Sequence, residues 1–284
     1  MNVYQVVTER IIEQLESGII PWHKPWTGTR SGAYNRVTRK PYSLLNQMLL
    51  QHTGEYATFK QWTEAGGHIK KGEKSEIVTF WKISPIIEVE NEDGEKERKQ
   101  IPLLRYYNVF HISQVEGVEP KEKLDLHELE PLTEAEQIKE AYKEREQIEI
   151  YEIVCNEAFY NPGLDYIQVP CKEQYTEIEE FYSTLFHEMI HSTGHKSRLD
   201  RLENGASVRF GSETYSKEEL VGEIGSAMIL NCLGIETEKT FKNSSAYVQN
   251  WLQVLKNDNK FIVSAASKAE KAAKYIFGEN DLQE

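Results

Sequence analysis

Cysteine is scarce in this chain. Cys155, Cys171 and Cys232 stand far apart and form no CxxC pair, which excludes a zinc ribbon or knuckle built on thiolates. An odd, sparse set also argues against a disulfide-stapled fold and for reduced thiols in the cytoplasm. Long apolar runs are lacking too: no stretch approaches the roughly 20 residues that a bilayer-spanning helix needs. The start, Met1-Asn2-Val3-Tyr4-Gln5, has neither the basic block nor the apolar block of a secretion signal. No membrane partner is expected. There is no internal repeat and no low-complexity tract. Basic charge is in deficit, with 33 Lys+Arg against 46 Asp+Glu and a net charge of -13, which for the chain as a whole argues against nucleic acid.

What is present is unevenly spread. Of the 284 residues, 39% are hydrophobic and 11% aromatic, enough to bury a core. The first 125 residues balance 17 basic against 17 acidic side chains, so the entire excess of -13 lies in residues 126–284. That asymmetry predicts two domains with different partners, 1–125 and 126–284.

Asn2 can cap a helix carrying Val3, Val6, Val7, Ile11 and Leu15 and ending at Gly18. Short helices are expected from Ser43 and from near Thr58. Ile77–Ile83 and Leu103–Ile112 read as strands around a charged hairpin tip at Asn91–Lys96. Residues 114–132 read as a linker. A helix is expected from Thr133, which with Glu136 fits a capping box. Strands follow at Tyr151–Val154 and Tyr166–Val169, then helices at Phe181–Ser192, from Ser216, around Trp251 and at Ser264–Phe277. The fold class expected is α+β, a small α/β domain followed by a mainly helical one.

The helix at Phe181–Ser192 holds His187-Glu188-Met189-Ile190-His191. Residues four apart share a helix face, so His187 and His191 can ligate one ion while Glu188 works as a general base beside it. Such a pattern arises by chance in roughly three of a hundred chains of this composition, so it needs partners. The apolar neighbours Tyr182, Leu185, Phe186, Met189 and Ile190 mark a buried helix, where unpartnered polar groups are costly. Downstream, Glu219 and Glu223 are again four apart. Glu219 can be the third ligand and Glu223 can hold the far nitrogen of His187 or His191. Glu219 could instead close a capping box with Ser216. The set resembles the gluzincin pattern, with Zn²⁺ as its cofactor. His195 is a rival ligand, but a metzincin would place its third histidine at Ser197, a departure that counts against that pattern; His195 and Tyr215 are candidates for the pocket rim.

Residues 22–82 contain ten Lys+Arg against four Asp+Glu and four of the five tryptophans. Cations that follow phosphates, with rings that stack on bases, are what a single-strand binder needs. The candidates are Trp22, Trp26, Arg36, Arg39, Lys40, Lys60, Trp62, Lys70, Lys71 and Lys74. The competing reading is an aromatic core with solvated lysines.

Taken together the two halves resemble ArdC-type antirestriction proteins. The motifs that carry the resemblance are Asn35-Arg36-Val37-Thr38, Phe59-Lys60-Gln61-Trp62, Lys70-Lys71-Gly72-Glu73-Lys74 and Tyr107-Asn108-Val109-Phe110. In the second half they are Phe186-His187-Glu188-Met189-Ile190-His191, Thr193-Gly194-His195 and Glu218-Glu219-Leu220-Val221-Gly222-Glu223. The resemblance covers nearly the whole chain. It implies a single-stranded-DNA-binding domain, then a zincin-like metallopeptidase domain, in a protein of plasmids, phages and other mobile elements that shields incoming DNA from host restriction. A host protein would be the peptidase substrate. Two alternatives remain: a DNA-binding protector whose zinc domain is structural, and a metallopeptidase whose first domain recognises a protein.

Overall fold

The computed structural model describes residues 2–23, 32–83, 87–90, 96–99, 102–121, 131–202, 213–235 and 244–279. Helix α1 (Val3–Glu16) starts where Asn2 accepts a hydrogen bond from the Tyr4 N–H and Gln5 reaches back to the Asn2 N–H. Its buried residues Val7, Ile11 and Leu15 recur every four positions and face inward. After strand β1 (Ala33–Asn35) come α2 (Leu44–Leu49), β2 (Gly54–Ala57), α3 (Phe59–Glu64) and β3 (His68–Ile69). The strands β4 (Glu76–Ile83) and β7 (Pro102–His111) flank a hairpin of β5 (Ile87–Glu90) and β6 (Lys96–Lys99). One sheet runs in the order β1-β2-β7-β4, with β4 at its edge. Of the expected tip, Asn91–Lys96, residues 91–95 lie outside the described residues and Lys96 opens β6.

The expected linker is partly built into the first segment. Strand β8 (Val115–Glu116) pairs with β3. The Lys121 N–H bonds Glu55 at 2.7 Å and its Nζ bonds the Arg36 carbonyl at 2.9 Å. Helix α4 (Pro131–Glu146) begins earlier than the sequence implies, because proline is suited to a first turn that needs no N–H. Thr133 is therefore inside the helix and caps nothing. Glu136 accepts instead from Lys139, from Lys172 at 2.8 Å and from the Tyr182 hydroxyl at 2.8 Å.

Strands β9 (Glu149–Ile153), β10 (Phe159–Asn161) and β11 (Tyr166–Pro170) form a second sheet, ordered β10-β11-β9. Helix α5 (Ile178–Ser192) lies between that sheet and α6 (Glu213–Leu233); α7 (Ser244–Asn257) and α8 (Phe261–Phe277) complete the layer. The architecture is α+β.

The largest apolar core does not stop at residue 125. Val7, Ile11, Trp22, Leu44 and Met48 belong to the same buried cluster as Phe186, Leu220, Trp251 and Ile262. Trp22 meets Trp251 edge to face at 5.3 Å. The Thr8 hydroxyl donates to the Asn259 carbonyl at 2.8 Å, and the Leu44 N–H donates to Glu270 at 3.0 Å.

Candidate metal centre and nucleic-acid residues

Helix α5 has reasons to form where it does. Glu179 and Glu180 occupy its first turn and His191 its last, which suits the helix dipole at each end. Phe181, Leu185, Phe186, Met189 and Ile190 are fully buried. His187 and His191 leave on the face turned to α6, with their Nε2 atoms 2.9 Å apart. Glu219 stands opposite, its oxygens 3.6 Å from His187 Nε2 and 3.5 Å from His191 Nε2. One donor atom from each of the three lies within 4.8 Å of the others, and among the described residues no other such trio of potential metal donors occurs.

Because α6 starts at Glu213, Ser216 lies a turn inside it, and the capping-box alternative for Glu219 falls away. The close approach of the two helices depends on glycine. A Cβ at Gly222 would stand 2.8 Å from His187 Cε1 and 3.0 Å from His191 Nε2, and one at Gly225 would stand 2.6 Å from Ile190 Cδ1.

The outer nitrogens are held unequally. Glu223 lies 3.8 Å from His187 Nδ1, beyond hydrogen-bonding range. His191 Nδ1 faces Glu218 instead, at 3.4 Å. Sequence reasoning missed Glu218 in this role. No local pattern signals it, because its partner Arg201 comes from outside the helix: the guanidinium grips Glu218 with Nη2 at 2.7 Å and Nε at 3.0 Å, and it also donates to the Ile190 carbonyl at 2.8 Å. Burial would raise the Glu218 pKa, yet His191 and Arg201 hold it down at about 2. Burial raises the Glu223 carboxyl above its ordinary range. For His187 burial alone would lower the pKa, but Glu219, Glu223 and Glu188 together lift it to about 10. The pocket favours positive charge.

Glu188 is buried beside His187 on α5. His195 does not join the trio; its Nδ1 pairs with the Ser197 hydroxyl at 2.7 Å and lies 3.9 Å from Asp165. Tyr215 belongs to α6, but its side chain lies outside the described residues.

The aromatic half of the expected nucleic-acid set is corrected by burial. Trp22 and Trp62 are both 0% exposed and offer no ring face to a base. Each fills a core: Trp22 packs on Trp251, and the Trp62 indole donates to the Phe110 carbonyl at 2.9 Å. Arg36 is spent internally as well, ion-paired with buried Glu55 and seated 5.0 Å from the centre of the Trp62 ring. Trp26 lies outside the described residues. Arg39, Lys40, Lys60, Lys70, Lys71 and Lys74 are exposed, although Lys70 also bonds the Ser113 carbonyl at 2.8 Å.

Known proteins resemble this chain in sequence and fold. Residues 1–110 match the family model of the N-terminal domain of anti-restriction factor ArdC, and residues 136–268 match that of the zincin-like metallopeptidases. The chain is 33% identical over 310 residues to an Escherichia coli DNA primase TraC and 32% identical over 302 residues to another. Each match takes in 99% of this chain but only 28% and 20% of the respective primase. The y4eC protein of Sinorhizobium fredii is 31% identical over 290 residues, covering 97% of this chain and 91% of that protein. Among solved structures, the metal-free crystal structure of the antirestriction ArdC protein from plasmid R388 superposes with a TM-score of 0.76 at 34% identity, covering 98% of both chains. Its Mn(II)-bound form gives 0.76 at 33% identity, over 100% of both. With two partly buried histidines and a glutamate gathered between α5 and α6, and relatives that match it along nearly its whole length, the chain belongs to the family of ArdC-type antirestriction proteins.

Proposed function

We propose that this protein is an antirestriction factor of a mobile element, acting in the cytoplasm, that binds single-stranded DNA through its first segment and holds one Zn²⁺ in its second. The observation that carries the metal reading is the convergence of His187, His191 and Glu219 within 4.8 Å. Two imidazoles and one carboxylate make a familiar catalytic zinc set. The Mn(II)-bound R388 ArdC structure supports a divalent ion in a relative of this fold. The division of labour between residues 1–125 and 126–284 belongs to the same reading.

His187, His191 and Glu219 would hold a divalent ion, which when bound would supply Lewis acidity to a water and a carbonyl. Glu188 accepts a proton from the attacking water and returns it to the leaving amine. Its burial shields that carboxylate from bulk solvent. Glu219 and the two imidazoles are brought together by the close packing of α5 on α6. Under this reading a host protein is the substrate.

Metal analysis tests the site: the purified chain should carry one Zn²⁺, and His191→Ala should lose it. Retention of full metal content by that variant would remove the assignment. The chemistry is tested separately by Glu188→Ala, which should keep the metal and lose peptide cleavage. If DNA protection in a restricting host survives that substitution, the zinc segment is structural in protection and cleavage is not the protective step.

A further inference from the structure

We propose that one face of the β4–β7 ribbon is the surface on which single-stranded nucleic acid lies, with bases on Phe80 and Tyr107 and phosphates beside Lys82 and Arg105. This rests on the nucleic-acid reading above and gives it a location other than the buried tryptophans. Residues directly opposite in an antiparallel pair share a face. The register pairs Val78 with Tyr107, Phe80 with Arg105 and Lys82 with Leu103, so these six side chains line one side of the ribbon. Val78 closes a small core with Tyr42, Tyr56 and Val109. Beyond Val78 that core ends and this face is exposed at Phe80, Lys82, Leu103, Arg105 and Tyr107, while Thr79 and Leu104 on the other face are buried.

Phe80 is 45% exposed and Tyr107 46% exposed. Their rings meet edge to face at 5.8 Å, and Tyr42 braces Phe80 at 6.3 Å. Phe80 therefore has a ring neighbour on each side, Tyr42 and Tyr107. Residues 80–83 and 102–108 contain Lys82 and Arg105 and no acidic side chain, in a chain whose net charge is -13. Rings alternating with cations fit a strand whose bases offer π faces and whose backbone is anionic. The centre of a protein–protein contact is depleted of charge instead. Strand addition by a second chain is opposed at Thr79, whose N–H and C=O are already bonded to the Asn46 side chain at 2.7 and 2.9 Å. Two residues before Tyr42 comes exposed Lys40, next to exposed Arg39, which extends the positive track.

The reverse face carries Trp81 and Tyr106, which are 57% and 45% exposed, with no cation beside them in the register. It provides the control. The experiment is a fluorescence-anisotropy titration of the full chain with labelled oligothymidylate at two salt concentrations. Phe80→Ala and Tyr107→Ala should each weaken binding about tenfold, the scale of one lost stacked base. Lys82→Glu with Arg105→Glu should flatten the salt slope by roughly 1.4 for two lost phosphate contacts, whereas Trp81→Ala should bind like wild type. Tyr107→Leu, which keeps side-chain bulk but removes the ring, should behave as Tyr107→Ala and guards against a folding defect. If wild type binds and the variants of the cationic face bind equally well, the strand lies elsewhere and only this proposal falls. Weakening by Trp81→Ala alone would also overturn it, in favour of the reverse face. A wild-type chain that binds no oligonucleotide at low salt removes the nucleic-acid reading and this surface together.

Discussion

Glu218 and Arg201 govern how firmly His191 is aimed. A carboxylate on the outer nitrogen of a metal-binding histidine fixes its tautomer and ring orientation, and here that carboxylate is itself clamped by a forked guanidinium. Glu218→Gln should lower metal affinity about 10–100-fold, read by competition with a chromophoric chelator; unaltered affinity would mean that packing alone orients His191. A different side chain governs acid stability. Burial raises the pKa of Glu136, but hydrogen bonds from Lys139, Lys172 and Tyr182 outweigh it and bring the value from 4.5 down to about 2. A depressed carboxylate stabilises the fold above its unfolded pKa, and that contribution is lost as pH falls through the folded value. Stability should therefore decline between about pH 4.5 and pH 2, and Glu136→Gln should be less stable than wild type at neutral pH with the gap closing across that window. Urea midpoints measured across the range would check it.

At the scale of elements, the site exists because α5 and α6 cross at glycines. Gly222 and Gly225 are one turn apart, so one stripe of α6 is bare backbone where His187, His191 and Ile190 press against it. Gly225→Val would drive methyl groups into Ile190 and should cost about 1–3 kcal/mol by overpacking, visible as a lower thermal midpoint. The two histidines were legible in the sequence because a spacing of four on one helix needs no tertiary information. Glu219 was read as the third ligand, with a capping box as the competing reading because the same residues also spell one; the earlier start of α6 puts Ser216 inside the helix and removes the box. Glu218 was not legible, because periodicity on α6 favours Glu223, whereas the fold brings Arg201 in from the chain after α5 and turns Glu218 toward His191. Trp22, Trp62 and Arg36 failed as nucleic-acid candidates for a related reason. Composition counts rings and charges but does not report which are enclosed.

For the whole molecule, the helices of the first segment are packed into the core of the second. Trp251→Ala should destabilise the full chain by about 3–5 kcal/mol. Urea unfolding followed by fluorescence and by circular dichroism should shift by the same amount, because the cavity opens between segments that share one core. Independent transitions would instead indicate two separately folding units. A fragment of residues 1–125 would expose Val7, Ile11, Leu44 and Met48, which are buried against partners from the second segment, and should bind an apolar dye that the full chain does not. Among the described residues no helix is long and apolar enough to cross a membrane.

The sequence by itself determined the local chemistry: two histidines one helical turn apart beside a glutamate, strands rich in β-branched and aromatic residues, and a charge imbalance confined to one half. Those properties are short-range, set by helix periodicity, strand alternation and composition. Only the tertiary structure decided which carboxylate meets which imidazole, which tryptophans are core, and that α1 and α2 pack on α7 and α8. Each of these joins residues far apart in the chain, and burial and hydrogen bonding between them depend on how the layers stack, which no local pattern encodes.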